Sequence, residues 1–100
     1  MTKRENQILE KVLDLLKKYL KPSKVILFGS RSKGHASISS DFDFAVQCKI
    51  IGSEIKRKLK EKIEEVSGLY HVDIVYWNEI NEDFKKIILA SGKVIYERRA

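Results

Sequence analysis

The sequence predicts an α/β or α+β fold with a largely buried sheet, in one domain formed by residues 1–100. Helical and extended hydrophobic patterns alternate along the chain, which is typical of these two classes. The first extended segment, residues 24–28, is nearly all apolar, as expected for a strand with both faces covered. A chain of 100 residues is also long enough to bury one modest core.

The first element is a helix predicted over residues 3–20. Thr2 and Glu5 have the spacing of a capping box at its start, and Pro22 ends it. Its apolar residues recur at helical spacing: Ile8, Leu9, Val12, Leu13, Leu16 and Leu20.

Two strands follow this helix. Residues 24–28 (KVILF) are too uniformly apolar for an exposed strand, and Gly29 ends the segment. Residues 41–48 predict a second strand whose side chains alternate between two faces. One face carries Phe42, Phe44 and Val46, and the other carries Asp41, Asp43 and Ala45.

A second helix and a third strand continue the alternation. The helix is predicted over residues 53–67, and Gly68 stops it. Its inward residues are predicted to be Ile55, Leu59, Ile63 and Val66. Residues 70–77 (YHVDIVYW) predict the third strand.

The last two predicted elements are a helix and an edge strand. Asn78 or Asn81 is expected to cap the helix, and Gly92 to end it. The apolar stripe of this helix is predicted to be Phe84, Ile87 and Ile88. Residues 93–97 (KVIYE) predict a strand at the edge of the sheet, because charges flank it.

The composition limits the classes of function. The net charge of +6 permits an anionic partner, but lysines and acids are mixed along the helices, which is typical of solvated faces. The apolar runs are too short to span a bilayer, and the N-terminus lacks a signal-peptide core, so we expect a cytoplasmic protein. The single cysteine, Cys48, cannot form an internal disulfide and is expected to be a small buried apolar residue.

Asp41 and Asp43 are the first candidate functional residues. Their side chains leave the same face of a strand, with Cα atoms about 6.5–7 Å apart. Two carboxylates that converge to about 4 Å repel by about 4 kcal/mol at an effective dielectric of 20. A divalent cation offsets this repulsion, and ligands that are all oxygen favour Mg²⁺ or Mn²⁺. The alternative is a pair of solvated acids at an exposed strand start.

Asp73 is an isolated acid in the apolar segment HVDIVYW. If the second and third strands are neighbours, Asp73 can face the same side as Asp41 and Asp43. Three such carboxylates can hold two Mg²⁺ ions, the arrangement used for in-line displacement at phosphorus. For Asp73 alone, a salt bridge to a lysine or arginine is the simpler interpretation.

The Gly29-Ser30 pair is a candidate phosphate site. A buried strand, this pair and a short helical turn over residues 30–34 would present backbone N–H groups and a hydroxyl to an anion. Arg31 and Lys33 add positive charge. A serine cap after a glycine turn is the competing interpretation.

Other phosphate and metal motifs are absent from the sequence. GSRSKGHA lacks the Lys-Ser/Thr of a P-loop, and there is no G-x-G-x-x-G. DFDFAVQCKIIG has Ala45 and Val46 where a calcium loop needs acid and glycine. There is no zinc spacing, and His71 is interpreted as a strand-edge residue rather than a catalytic base.

The combined string GSRSKG…SDFDFAV closely resembles the minimal nucleotidyltransferase family, within the DNA-polymerase-β-like nucleotidyltransferase superfamily. The usual form in that family is GSRARG…SDIDLAV. The resemblance covers the centre of the chain, and the length and the order of elements fit the rest. It implies a mixed sheet of about four strands with helices packed mainly on one face.

The resemblance also implies roles for individual residues. Gly29 and Ser30 would hold the nucleotide triphosphate, with Arg31 and Lys33 supplying charge. Asp41 and Asp43 would bind both metal ions, and Asp73 would help to position the ion that activates the acceptor. Lys33 stands where arginine is usual but keeps the positive charge, and Phe42 and Phe44 replace aliphatic residues, which affects packing rather than chemistry. No functional position of the motif is therefore lost.

The implied activity is Mg²⁺-dependent transfer of a nucleoside monophosphate, AMP from ATP, to a protein hydroxyl. In this family the acceptor is a tyrosine of a HEPN-domain ribonuclease, which the enzyme neutralises as the antitoxin of a pair. Because the sheet and its helices use all 100 residues, we expect the acceptor to arrive on another molecule. Homo- and hetero-oligomers both remain open, as does the nucleobase preference, for which Tyr70, Tyr76 and Trp77 are stacking candidates.

Two other functions are consistent with the sequence. One is a non-catalytic, nucleotide-binding antitoxin that acts by forming a complex. The other is a nucleic-acid-binding protein that uses the +6 charge. The second ranks last, because the sequence has no platform of alternating basic and aromatic residues.

Overall fold

The computed structural model describes residues 2–29 and 42–99 of the chain. Three α-helices and four β-strands make up the described part, together with a short 3₁₀ turn at Trp77–Glu79. In chain order they are α1 (Lys3–Leu20), β1 (Lys24–Phe28), β2 (Phe42–Gln47), α2 (Ser53–Ser67), β3 (Val72–Tyr76), α3 (Glu82–Ser91) and β4 (Lys93–Glu97).

The four strands form one mixed sheet in the order β3-β2-β1-β4. β1 is antiparallel to both β2 and β4, whereas β2 and β3 are parallel and are joined through α2. The predicted α+β class with a mixed four-stranded sheet is therefore confirmed. Asp43 of β2 is the register partner of Phe28 in β1 on one side and of Asp73 in β3 on the other.

One face of the sheet packs against α1 and α2 and forms the main core. Phe42 and Phe44 of β2 are fully buried there, with their rings stacked 6.4 Å apart. The helices contribute the buried side chains of Ile8, Val12, Leu16, Leu20, Leu59 and Ile63. Two of the three helices therefore pack on this face, in agreement with the prediction that the helices pack mainly on one face.

The other face carries a smaller apolar cluster under α3. Ile26 and Phe28 of β1, Ala45 of β2 and Ile88 of α3 are its buried members. Phe84 of α3 packs edge-on against Phe28, with ring centroids 5.9 Å apart. The two central strands, β1 and β2, are thus buried on both sides over most of their length, which explains the apolar run in β1 and the apolar Ala45 on the second face of β2.

Local sequence signals set the ends of the helices. The predicted capping box is present, because the Glu5 backbone N–H donates to Thr2 Oγ1 and the Thr2 N–H donates to Glu5 Oε1. Asn81, rather than Asn78, caps α3 by accepting from the Phe84 backbone N–H at 2.8 Å. α2 ends at Gly68, whose positive φ of 62° favours glycine.

Some sequence predictions of burial and boundaries are wrong. Ile55 and Ile87 were expected to face the core, but they are 43% and 61% exposed. At 100° per residue, Ile55 lies about 80° around the helix from Ile63, and Ile87 about 100° from Ile88. β3 spans Val72–Tyr76 rather than the predicted residues 70–77, and the chain enters the 3₁₀ turn at Trp77. Cys48 is half-buried at the margin of the main core.

Within the described ranges, every helix is too short or too polar to cross a lipid bilayer.

Adjacent isoleucines of α3 provide a test of the packing. Ile88 is completely buried and Ile87 is largely exposed. We expect Ile88→Ala to lower the free energy of unfolding by about 2–4 kcal/mol, because it leaves a cavity under the sheet. The matched Ile87→Ala should change it by about 0.5 kcal/mol or less. Urea unfolding followed by circular dichroism measures both values, and equal losses would contradict this packing.

Candidate active site

Gly29 ends β1 directly beside the carboxylate of Asp43. Its φ of 78° lies in the left-handed region that favours glycine. A Cβ atom placed on Gly29 would lie 2.5 Å from Asp43 Oδ2, closer than atoms can approach. Glycine is therefore favoured at this position on two grounds, the positive φ and the nearby Asp43 carboxylate, which a Cβ atom would displace.

Asp43 and Asp73 lie side by side on the parallel strands β2 and β3. They are register partners, so their Cα atoms are separated by one strand spacing, about 4.8 Å. Both side chains leave the face opposite to α1 and α2, because Phe42, Phe44 and Val46 face those helices. The sequence predicted that Asp73 would face the same side as Asp43 if the second and third strands were neighbours. The two strands are neighbours, and the two residues are register partners.

His71 extends this acidic group along the same face. Its Nε2 atom lies 3.1 Å from Asp73 Oδ1, and both side chains are at least half exposed. The sequence interpretation of His71 as a strand-edge residue gave it no part in the site. Its position two residues before Asp73 was the available signal, since residues i and i+2 of a strand share a face.

Four predicted site residues, Ser30, Arg31, Lys33 and Asp41, lie outside the described residues, so their places in the site remain predictions. Within residues 2–29 and 42–99, no three His, Cys, Asp or Glu side chains are grouped closely enough to hold a metal ion. The described part of the chain supplies two of the three predicted carboxylates, Asp43 and Asp73.

The described residues fit a divalent cation. Two carboxylates about 5 Å apart repel by about 3 kcal/mol at an effective dielectric of 20, and a bound cation reverses the sign of that interaction. The donors are all oxygen atoms, which suit Mg²⁺ or Mn²⁺. Because Gly29 has no side chain, no Cβ atom crowds Asp43 Oδ2 from this position.

A separate polar cluster lies at the opposite ends of β2 and β3. Lys56 of α2 forms an ion pair with Glu79 and lies over the Tyr76 ring, 4.5 Å from its centroid. Burial, with Cys48 and Glu79 nearby, raises the pKa of Tyr76 to about 12. Burial and Glu79 also raise the pKa of the Cys48 thiol, against the opposing effect of Lys56. A protonated thiol is a poor nucleophile, in agreement with the structural role predicted for Cys48.

The three aromatic residues considered for base stacking do not form one platform. Tyr70 and Tyr76 pack with the main core, and Tyr70 lies edge-on to Phe42. Trp77 belongs to the cluster on the other face, where Lys85 lies 5.6 Å from its ring centroid.

Comparison with known proteins identifies relatives over most of the chain. The family model described as "Polymerase beta, Nucleotidyltransferase" matches residues 10–100. The chain is 35% identical over 92 residues to a Haemophilus influenzae protein named "Probable protein adenylyltransferase MntA". That match covers 87% of this chain and 77% of the relative.

Solved structures share the fold. A toxin–antitoxin complex with AMP-PNP matches with a TM-score of 0.78 and 24% identity, over 90% of this chain and 73% of that chain. A complex of a tri-AMPylated Shewanella oneidensis HEPN toxin with an MNT antitoxin matches with a TM-score of 0.72 and 21% identity. That match covers 93% of this chain and 72% of the other.

The contact between Gly29 and Asp43 can be tested with two glycine substitutions. Gly29→Ala should lower the free energy of unfolding by about 1–2 kcal/mol, because alanine is strained in the left-handed region. It should also weaken Mn²⁺ binding about tenfold by displacing the Asp43 carboxylate. Gly52, the N-cap of α2, has φ −68°, and a Cβ atom placed on it would have no neighbour within 4 Å. Gly52→Ala should therefore leave Mn²⁺ binding unchanged, and it should lower the free energy of unfolding only through the weaker capping by alanine, about 0.5–1 kcal/mol. Urea unfolding and an electron paramagnetic resonance titration with Mn²⁺ measure the two effects; unchanged Mn²⁺ affinity in Gly29→Ala would refute the second.

Proposed function

The chain belongs to the polymerase beta nucleotidyltransferase family, and on this basis we propose that it is a protein adenylyltransferase. The observation that carries it is the register pair Asp43 and Asp73, with Gly29 packed against the first of them. The relative named as a protein adenylyltransferase, 35% identical over most of the chain, supports the choice of AMP and of a protein acceptor.

The nucleotide is assigned to the segment that follows β1. In this proposal Gly29 lets the backbone approach the triphosphate, and the Ser30 hydroxyl donates to a phosphate oxygen. Arg31 and Lys33 add positive charge beside the phosphates. The toxin–antitoxin relative solved with AMP-PNP supports ATP as the donor.

Asp41, Asp43 and Asp73 are assigned as the residues that would hold two Mg²⁺ ions, for which Mn²⁺ can substitute. When bound, such ions lower the pKa of an attacking hydroxyl and stabilise the charge on the leaving group. The carboxylates of this chain place those charges at one end of the sheet. Because Asp43 and Asp73 are register partners on adjacent strands, the proposed site would need little reorganisation during the reaction.

The reaction is a displacement at the α-phosphorus of ATP. The acceptor oxygen forms a bond to that phosphorus, and the bond from the phosphorus to the oxygen that bridges to the β-phosphate breaks. Pyrophosphate leaves with that electron pair, and the hydroxyl proton passes to water. The product is a phosphodiester between AMP and the acceptor residue.

The proposed acceptor is the hydroxyl of a tyrosine on a HEPN-domain toxin. In this proposal the chain is the antitoxin of that toxin. The AMPylated HEPN toxin found in complex with an MNT antitoxin supports this pairing. We also propose that residues 1–100 work as one nucleotidyltransferase domain, in the cytoplasm where ATP is made.

Asparagine substitutions test the catalytic assignment. The chain, Mg²⁺, ATP labelled at the α-phosphate and the paired HEPN-domain protein are incubated, and label on the HEPN protein is measured. Asp43→Asn and Asp73→Asn should each lower the rate about 100-fold or more, which corresponds to about 3 kcal/mol of transition-state stabilisation. Asp14→Asn, at an exposed position on α1, is the matched control and should keep the wild-type rate.

The same experiment separates the two antitoxin mechanisms. If wild-type protein transfers no label, or if Asp43→Asn transfers it undiminished, the proposed activity is wrong. If Asp43→Asn still neutralises the ribonuclease activity of the toxin without labelling it, the chain acts by complex formation. Circular dichroism of each variant shows that the loss reflects chemistry rather than unfolding.

A further inference from the structure

A groove of about 650 Å³ runs between α2 and β3 and reaches the candidate active site. Leu59 and Ile63 of α2 and Ile74 of β3 form its apolar part, and Lys60 and Glu64 of α2 are among its charged lining residues. Asp73 lies along it near the start of β3, and Tyr76 lies at the other end of the strand under Lys56. We call it the α2–β3 groove.

β3 is an edge strand whose outer side has no strand neighbour among residues 2–29 and 42–99. The other edge strand, β4, has a register irregularity opposite Val25 and Ile26, and Lys93, Arg98 and Arg99 flank or follow it. Bulges and edge lysines are devices that prevent pairing with another chain. The segment VDIVY of β3 contains no lysine or proline, so, of the two edges of the sheet formed by the described residues, this one is less protected against an additional strand.

The two faces of β3 have different chemistry. Val72, Ile74 and Tyr76 face the helices and the groove, while Asp73 and Val75 face the other side. A strand added about 4.8 Å away would follow the same alternation. Its apolar side chains would enter the groove, and a residue between them would stand beside Asp73.

An exposed leucine supports a protein occupant. Leu69, which lines the groove just before β3, is 105% exposed. A large exposed apolar side chain beside a groove with apolar and charged walls, next to a strand edge that has no partner among the described residues, is typical of a peptide-binding surface.

We propose that the α2–β3 groove binds an extended segment of the acceptor protein as a fifth strand on β3, and that this segment delivers its hydroxyl residue to Asp73. The inference rests on the proposed function, which requires a protein hydroxyl at this position. The segment it selects has apolar side chains at alternate positions that flank a hydroxyl residue. Backbone pairing supplies affinity, and the groove supplies selectivity.

Hydrogen exchange locates the bound segment. The full chain is compared alone, with AMP-PNP, and with the paired HEPN-domain protein. We expect the HEPN protein to slow exchange of the amides in residues 72–76, and AMP-PNP to leave them unchanged. Protection of these amides by AMP-PNP alone would assign the groove to nucleotide and overturn the proposal, as would protection by the HEPN protein at other surfaces only.

A pair of exposed apolar residues provides matched variants. Leu69→Asp lies in the groove, whereas Ile50→Asp replaces a residue that is 86% exposed and does not line it. We expect Leu69→Asp to weaken binding of the HEPN protein about tenfold or more, and Ile50→Asp to leave it unchanged. Isothermal titration calorimetry measures both, and it needs no catalysis.

The binding measurement keeps the two proposals distinct. If wild-type protein transfers AMP and Leu69→Asp keeps the wild-type dissociation constant and KM for the HEPN protein, the groove assignment is wrong and the activity stands. If Leu69→Asp loses binding but wild-type protein transfers no AMP, the groove assignment stands and the activity is wrong. Absence of binding by wild-type protein would overturn the groove assignment.

Discussion

The burial of Phe42 and Phe44 against α1 and α2 is the interaction on which the candidate site depends. Burying each ring stabilises the fold by about 1.5–3 kcal/mol. A slip of one residue in β2 would expose both rings and turn Asp43 into the core. Two carboxylates about 5 Å apart repel by about 3 kcal/mol at an effective dielectric of 20, and water screens the half-exposed Asp73 further, so the repulsion between Asp43 and Asp73 is smaller than this combined penalty. Hydrophobic register therefore forces the two carboxylates together.

The burial of Phe42 and Phe44 also determines which face of the sheet the candidate site residues Asp43 and Asp73 occupy. α1 and α2 cover the side that holds the phenylalanines, so the acids emerge on the opposite side, where α3 covers only the region of Ile26, Phe28 and Ala45. The parallel pairing of β2 with β3 adds Asp73, and the antiparallel pairing of β1 with β2 adds Gly29. Three segments far apart in the chain thus meet at one end of the sheet.

Much of this arrangement could be predicted from the sequence, because strong periodic patterns and caps determine it. The alternation in FDFAVQ predicted which side Asp43 takes, and Thr2 and Glu5 predicted the start of α1. Ile55 and Ile87 were misassigned because apolar character marks a helical stripe only to within about one residue position, or 100°. The groove and the contact between His71 and Asp73 depend on how α2 and β3 pack, which local patterns do not encode.

The two edges of the sheet have different environments, and this difference links the fold to the proposed reaction. β4 ends in charged residues and is irregular, whereas β3 carries Asp73 in a smooth, largely apolar strand. A buried central position would shield Asp73 from a protein substrate, and an edge protected by lysine would repel an additional strand from it. The carboxylate pair lies across β2 and β3. Asp43 belongs to a strand whose phenylalanines are in the core, and Asp73 belongs to the edge strand. In the proposed function the ATP site and the metal ligands lie at one end of the sheet, and the acceptor is proposed to bind along the edge formed by β3.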